Sequence, residues 1–243
     1  MSLAFYVFLT VLLAVVLIAD PVLGRRIMGR LERDVANGVR GARMRAYGLN
    51  IVLQWGMTAI FLVWWLALGR TTAEIGLHFH VAGLEWIAVA VCLALTALFA
   101  VTTLRASRNP KSLDDVRAQI GRLSALAPHT SAELRRFDQV SVSAGICEEI
   151  FYRGLLLTAL TALVGLWPAV LLSSVAFGIG HAYQGVTGAL RTGLVGLVLA
   201  LAVVFSGSLP VAMLMHAVLD MVQGRLLRSA VNLEHPEPEA APA

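Results

Sequence analysis

Two adjacent glutamates and an arginine lie in a stretch that otherwise reads as lipid-soluble. Residues 140–163 are mostly apolar, yet they hold Glu148, Glu149 and Arg153 in the run CEEIFYRG. A charged side chain at the middle of a spanning helix costs about 2.5–3.5 kcal/mol on insertion scales, so three within six residues must face a protein interior or a wet cavity. Glu149 and Arg153 stand four apart, acid before base, and are expected to pair on one helix face. Glu148 is turned from Glu149 by about 100° on an α-helix, which leaves it without that partner. A carboxylate free of an ion pair and walled from bulk water is suited to act as a general base near neutral pH. The competing reading, a charge cluster that only locks helices together, accounts for Glu149 and Arg153 but not for the extra glutamate.

Two further polar sites occur in later apolar stretches: His181, four residues after Phe177 in FGIGH, and His216 with Asp220, four apart in HAVLD. Asp220 shares a face with His216 and could orient its imidazole. Alternatively His181, His216 and Asp220 could hold a divalent metal such as zinc. A carboxylate base and two imidazoles, enclosed by apolar helices, are the groups needed to activate water against an amide. Glu148 would take a proton from water, and His181 would help hold that water or a metal. His216 and Asp220 would stabilise the oxyanion that develops on the carbonyl. No His-Glu-x-x-His run is present, so an ordinary zincin site is excluded. Cys147, beside Glu148, makes a poor nucleophile because neighbouring carboxylates disfavour a thiolate.

These residues need elements to carry them, and the composition says which. The chain has 243 residues, is 58% hydrophobic and 14% charged, and has a mean hydropathy of +0.77; a soluble domain carries about 25% charged residues. The fold class is therefore all-α, a polytopic transmembrane bundle of about seven to eight spans whose first partner is the lipid bilayer. Against the ~20 apolar residues a bilayer needs, the candidate spans are 2–23, 47–68, 84–104, 140–163, 167–182, 192–205 and 209–226, the fifth and sixth of them short. The two cysteines form neither a disulfide framework nor a metal motif. The first apolar run lacks a basic leader and a cleavage site, so it reads as a retained helix. Residues 1–233 read as one bundle with a catalytic core at 139–225, and 234–243 as a disordered acidic, proline-rich tail.

Charge gives the orientation. Arg25, Arg26, Arg30, Arg33, Arg40, Arg43 and Arg45 fill the first loop, and Arg105, Arg108, Lys111, Arg117, Arg122, Arg135 and Arg136 the third. Basic loops stay cytoplasmic, which sets the N-terminus outside and the C-terminus inside. The net charge of +4 thus reflects topology, not nucleic-acid binding. Residues 112–126 carry apolar positions at helical spacing, open between a helix lying on the leaflet and a plain surface helix. Thr130 and Glu133 form a capping box opening the fourth helix. Glycines 185, 188, 193 and 196 read as close-packing positions. Counting along the helices puts Glu148 about 13 Å and His181 about 9 Å from the cytoplasmic edge, but His216 about 20 Å from it; the last requires tilt or a later start to its helix.

The ordered set Glu148-Glu149-x-x-x-Arg153, Phe177-x-x-x-His181 and His216-x-x-x-Asp220 resembles the CAAX-protease and bacteriocin-processing (Abi) family of intramembrane proteases, over residues 139–225. The resemblance implies a helical membrane protease that cuts peptide or protein substrates near the cytoplasmic side. It makes Glu148 the water-activating base, with His181, His216 and Asp220 as further catalytic positions and Glu149, Arg153 and Phe177 as their support. Family members are described both as metal-dependent and as metal-free glutamate enzymes. The eukaryotic branch has Asn where Asp220 stands. Arginine-rich, short loops point to a bacterial plasma-membrane protein, for which prenylated substrates are not expected. Two other classes compete: a proton- or ion-coupled transporter, since intramembrane acids and histidines also build proton relays, and a non-catalytic membrane scaffold.

Overall fold

The computed structural model describes residues 2–78, 81–121 and 123–232, and every regular element among them is helical. The tail 234–243 falls outside these residues. Helix α1 runs over Leu3–Ala36. Ser2 opens it, its hydroxyl accepting from the Phe5 N–H at 3.3 Å, and a π-helical stretch over Val15–Ala19 widens it just before Asp20 and Pro21. The expected basic loop after residue 23 is therefore helical through Arg25, Arg26, Arg30 and Arg33. Arg, Leu, Met and Glu are strong helix formers, and Arg33 in the last turn suits the negative end of the helix dipole.

Helices α2 (Ala42–Ala67) and α3 (Glu85–Ala106) follow. Then comes α4 (Pro110–Ile120), capped by the Asn109 side chain. α4 covers most of the amphipathic segment foreseen at 112–126, and it packs on the chain: Leu113 is buried, and Arg117 donates from Nε and Nη2 to the Ala230 carbonyl at 3.0 and 2.8 Å. Helix α5 spans 131–164 in three parts, α-helical over Ser131–Glu148, π-helical over Glu149–Leu156 and α-helical over Leu157–Val164. Thr130 and Glu133 cap it reciprocally, at 3.1 and 3.3 Å. Helices α6 (Leu166–Gly180), α7 (Val186–Ser206) and α8 (Leu209–Asn232) complete the bundle.

Among the described residues, four helices are long and apolar enough to cross a membrane: Leu3–Ala36, Ala42–Ala67, Glu85–Ala106 and Val186–Ser206. Leu166–Gly180 is apolar but shorter. α5 and α8 are diluted by the residues that make them interesting: Glu148, Glu149 and Arg153 on one, His216, Asp220 and Arg225 on the other. Outward faces are apolar, with Ile18, Val52, Ile60, Ile87, Leu171 and Leu190 all exposed, a surface suited to lipid. This is an integral membrane protein.

The helices alternate between two ends of the bundle. At one end, Arg43 Nε and Tyr47 Oη donate to the carbonyls of Ala125 and Leu126 at 3.0 and 2.6 Å, and Asn232 Nδ2 to that of His129 at 2.8 Å. Arg225 clasps Asp138 with two bonds of 2.9 and 3.0 Å. At the other end, the loop after α2 folds inward, burying Ile75 and accepting the Leu209 N–H on the Gly76 carbonyl at 2.9 Å. Between the ends, Phe8, Leu12, Phe61, Trp65, Phe151 and Leu155 share one core. Lipid offers little hydrophobic drive for helix association, so small residues must let backbones touch. A Cβ at Gly178 would lie 2.7 Å from the Ala189 carbonyl oxygen and 3.2 Å from Gly193 Cα, so α6 and α7 meet where only glycine fits.

Candidate active site

Three helices bring the polar motifs together. α5 supplies Glu148 at the end of its α-helical part and Glu149 and Arg153 from the π-helical stretch, all eight residues of which are buried. A π-helix winds wider than an α-helix and recurs at functional sites. The Glu149–Arg153 pair forms as the spacing foretold: Arg153 Nη1 donates to Glu149 Oε1 at 2.8 Å, with neither side chain exposed. Arg153 Nη2 donates to the Gly196 carbonyl of α7 at 3.1 Å, and the guanidinium sits 4.1 Å from the Phe177 ring centre. Arg153 thus ties α5, α6 and α7 around one buried charge.

His216 of α8 comes 2.7 Å from the same Glu149 oxygen through Nδ1. An ionised carboxylate only accepts, so Nδ1 carries a proton and Nε2 faces away from Glu149. Nε2 stands 3.6 Å from Asp220 Oδ2 and 4.0 Å from Glu148 Oε2. Asp220, foreseen as a partner for His216, therefore flanks Nε2 at ion-pair distance, while the hydrogen-bonded acid is Glu149. His181 caps the C-terminus of α6, with Nδ1 2.9 Å from the Phe177 carbonyl. A carbonyl accepts only, so His181 also holds its proton on Nδ1, and Nε2 is directed 3.8 Å from Glu148 Oε2. Phe177 supports both rings: its centroid is 4.6 Å from that of His181 and 5.8 Å, nearly perpendicular, from that of His216.

Glu148 joins these parts. Its Oε1 accepts from Gln54 Nε2 at 2.9 Å, while Oε2 is buried without a hydrogen-bond partner. The later start considered for the helix of His216 does not occur: α8 begins at Leu209, which is fully buried, with its N–H bound to the Gly76 carbonyl.

Three neighbours of the site were not foreseen. Gln54 lies on α2. Tyr152 Oη donates to Asp20 Oδ2 of α1 at 3.0 Å, and a Cβ on Gly180 would collide with that pair. Asp20 is within electrostatic reach of Glu148 and His181. An aspartate within the first apolar run carries the same signal that exposed Glu148; Gln54, uncharged, carries a weaker one. Among the described residues, no three of His, Cys, Asp and Glu are arranged to hold a metal ion.

Residues 136–222 match the family model described as Rce1-like, type II CAAX prenyl endopeptidase Rce1-like. The match covers all three motifs and agrees with the CAAX-protease and bacteriocin-processing family that they resemble. No curated protein and no solved structure matches the chain. Helices α1 to α4, which supply Asp20 and Gln54, lie outside the matched segment.

Proposed function

We propose that this membrane protein is an intramembrane endopeptidase in which Glu148 activates water to hydrolyse a peptide bond near the cytoplasmic face. The observation that carries this reading is the unpartnered Oε2 of Glu148, 3.8 Å from His181 Nε2 and 4.0 Å from His216 Nε2. One water at hydrogen-bonding distance of about 2.8 Å spans such gaps. The water donates one hydrogen to Glu148 Oε2 and the other to the lone pair on His181 Nε2. Glu148 takes the proton as the water oxygen attacks the carbonyl carbon of the substrate amide. His216, when protonated at both nitrogens, donates from Nε2 to the oxyanion, with Asp220 balancing its charge. Glu148 then returns the proton to the departing amine. Every proton transfer uses a protein group.

The substrate is a peptide or membrane-protein segment entering among the helices. Alternation of α1, α2, α3, α5, α6, α7 and α8 between the two ends supports seven crossings. The basic segments and the C-terminal helix end gather at the end where His181 leaves α6, so the site lies near the cytoplasmic side with the N-terminus outside. In a bacterium this is the plasma membrane. The core at 139–225 performs the chemistry within a single bundle.

The test is hydrolysis of an internally quenched, mixed-sequence peptide pool by the purified full chain in lipid nanodiscs. Glu148→Gln, His181→Ala and His216→Ala each reduce turnover by about 10²–10⁴-fold, the range expected for loss of an acid–base group, while the protein stays folded and inserted. Full turnover by Glu148→Gln overturns the reading. Proton-coupled flux into liposomes without cleavage identifies a transporter instead.

A further inference from the structure

We infer that Gln54, on a helix outside the family-matched segment, is a positioning residue that fixes the rotation of Glu148 and keeps one carboxylate oxygen free for water. The inference rests on the reading of Glu148 as the base. Gln54 Nε2 donates to Glu148 Oε1 at 2.9 Å, across a separation of 94 residues. The opposite amide orientation would set a carbonyl oxygen against a carboxylate oxygen, which repel, so the donor is assigned by chemistry. With Oε1 occupied, Oε2 is the oxygen left unpartnered and facing both histidines.

The contact is enforced by the register of α2. Arg43, Tyr47, Asn50, Gln54 and Thr58 recur at three- and four-residue spacing and so form one polar stripe along an otherwise apolar helix. Arg43 and Tyr47 bind the carbonyls of Ala125 and Leu126, and Thr58 Oγ1 donates to the Cys147 carbonyl at 3.4 Å. Trp55 Nε1 donates to Ser143 Oγ at 3.2 Å. These bonds pin α2 on both sides of Gln54 and so hold its side chain within reach of Glu148. The pairing is also chemically apt. Arg153 ties Glu149 into a buried ion pair; a neutral amide holds Glu148 without doing so, and the carboxylate stays available for proton transfer. The second end of the amide, Oε1, is buried without a partner. It is an acceptor open to a donor brought by water or by a substrate N–H.

The test uses the full chain in nanodiscs with Gln54→Met and Gln54→Leu, which keep bulk and remove the donor. Asn50→Leu is the control, one turn away on the same face with no bond to Glu148. Two quantities are read: kcat and KM on the fastest-cleaved peptide of the quenched pool, and the pH midpoint for coupling of a hydrophobic carbodiimide to Glu148, mapped by mass spectrometry. In the Gln54 variants kcat falls about ten- to a hundredfold with KM little changed, the signature of lost orientation at the reacting group. The labelling midpoint of Glu148 moves as well. Asn50→Leu alters neither. Wild-type kcat or an unmoved midpoint in both Gln54 variants overturns the inference. If Glu148→Gln proves fully active, the hydrolytic reading falls on its own, and the labelling midpoint still decides whether Gln54 governs Glu148.

Discussion

Oε1 of Glu149 takes hydrogen bonds from Arg153 at 2.8 Å and from His216 at 2.7 Å, so one oxygen serves both a buried ion pair and the histidine to which the proposed chemistry gives a role. The two roles separate by mutation. Removing one partner of a fully buried ion pair leaves an uncompensated charge and costs about 3–5 kcal/mol, whereas replacing both by apolar residues of similar volume is often neutral. Arg153→Met or Glu149→Leu alone is expected to lower the thermal unfolding midpoint sharply. The double variant Glu149→Leu/Arg153→Met should recover much of that loss, yet remain inactive because His216 has lost the acceptor on Nδ1. Thermal unfolding in detergent and peptide cleavage, measured on all three, check this; a double variant that cleaves would remove Glu149 from the site. The Glu149–Arg153 pair was legible because four-residue spacing is a local rule. The Glu149–His216 bond was not, since it joins residues 67 apart, and no periodicity within either motif encodes it. Gln54 left a trace only as part of a polar stripe, whose meaning depends on which helix it faces.

At the scale of elements, the π-helical stretch and the glycine crossing position the motifs. Capping chemistry announced the start of α5, because Thr130 and Glu133 satisfy backbone groups that any helix N-terminus leaves open. The change to π-helical winding at Glu149 had no comparable signature, and neither did the continuation of α1 through its arginines. Of the glycines read as packing positions, Gly193 and Gly196 do face α6, at Gly178 and Phe177, whereas Gly185 has nothing within 4 Å and Gly188 meets only Gln184. This makes a contrast testable. Gly178→Ala drives a methyl group into the Ala189 carbonyl and must part α6 from α7, an overpacking cost of about 1–3 kcal/mol, displacing Phe177 and His181 with it. Gly56→Ala, where nothing lies within 4 Å, is expected to be neutral or stabilising. Loss of turnover and thermal stability in the first and neither in the second is the expected result. Equal effects would mean that the close crossing does not set the position of His181.

For the whole molecule, the distribution of charge and the direction of the helices make one joint prediction. Arg43, Tyr47, His129, Arg225 and Asn232 interlock at one end, and Gly76, Ile75 and Leu209 at the other. Basic residues at the first end hold it in the cytoplasm if the positive-inside rule applies. In a Cys92→Ala/Cys147→Ala background, a membrane-impermeant maleimide applied to intact cells should label Ser2→Cys and Thr71→Cys. Val39→Cys and Lys111→Cys should react only after permeabilisation. The inverse pattern would move the site to the opposite leaflet, and with it the compartment from which any substrate is drawn. A helix that carries charge loses the apolar signal by which spans are recognised, so α5 and α8 stand out less in hydropathy than the four long apolar helices. Their burial within the bundle, with Glu149, Arg153 and His216 shielded by α6 and α7, makes such helices tolerable in a bilayer. The labelling pattern tests the crossings of α1, α2 and α3 directly, because Ser2, Val39, Thr71 and Lys111 must then alternate between the two sides.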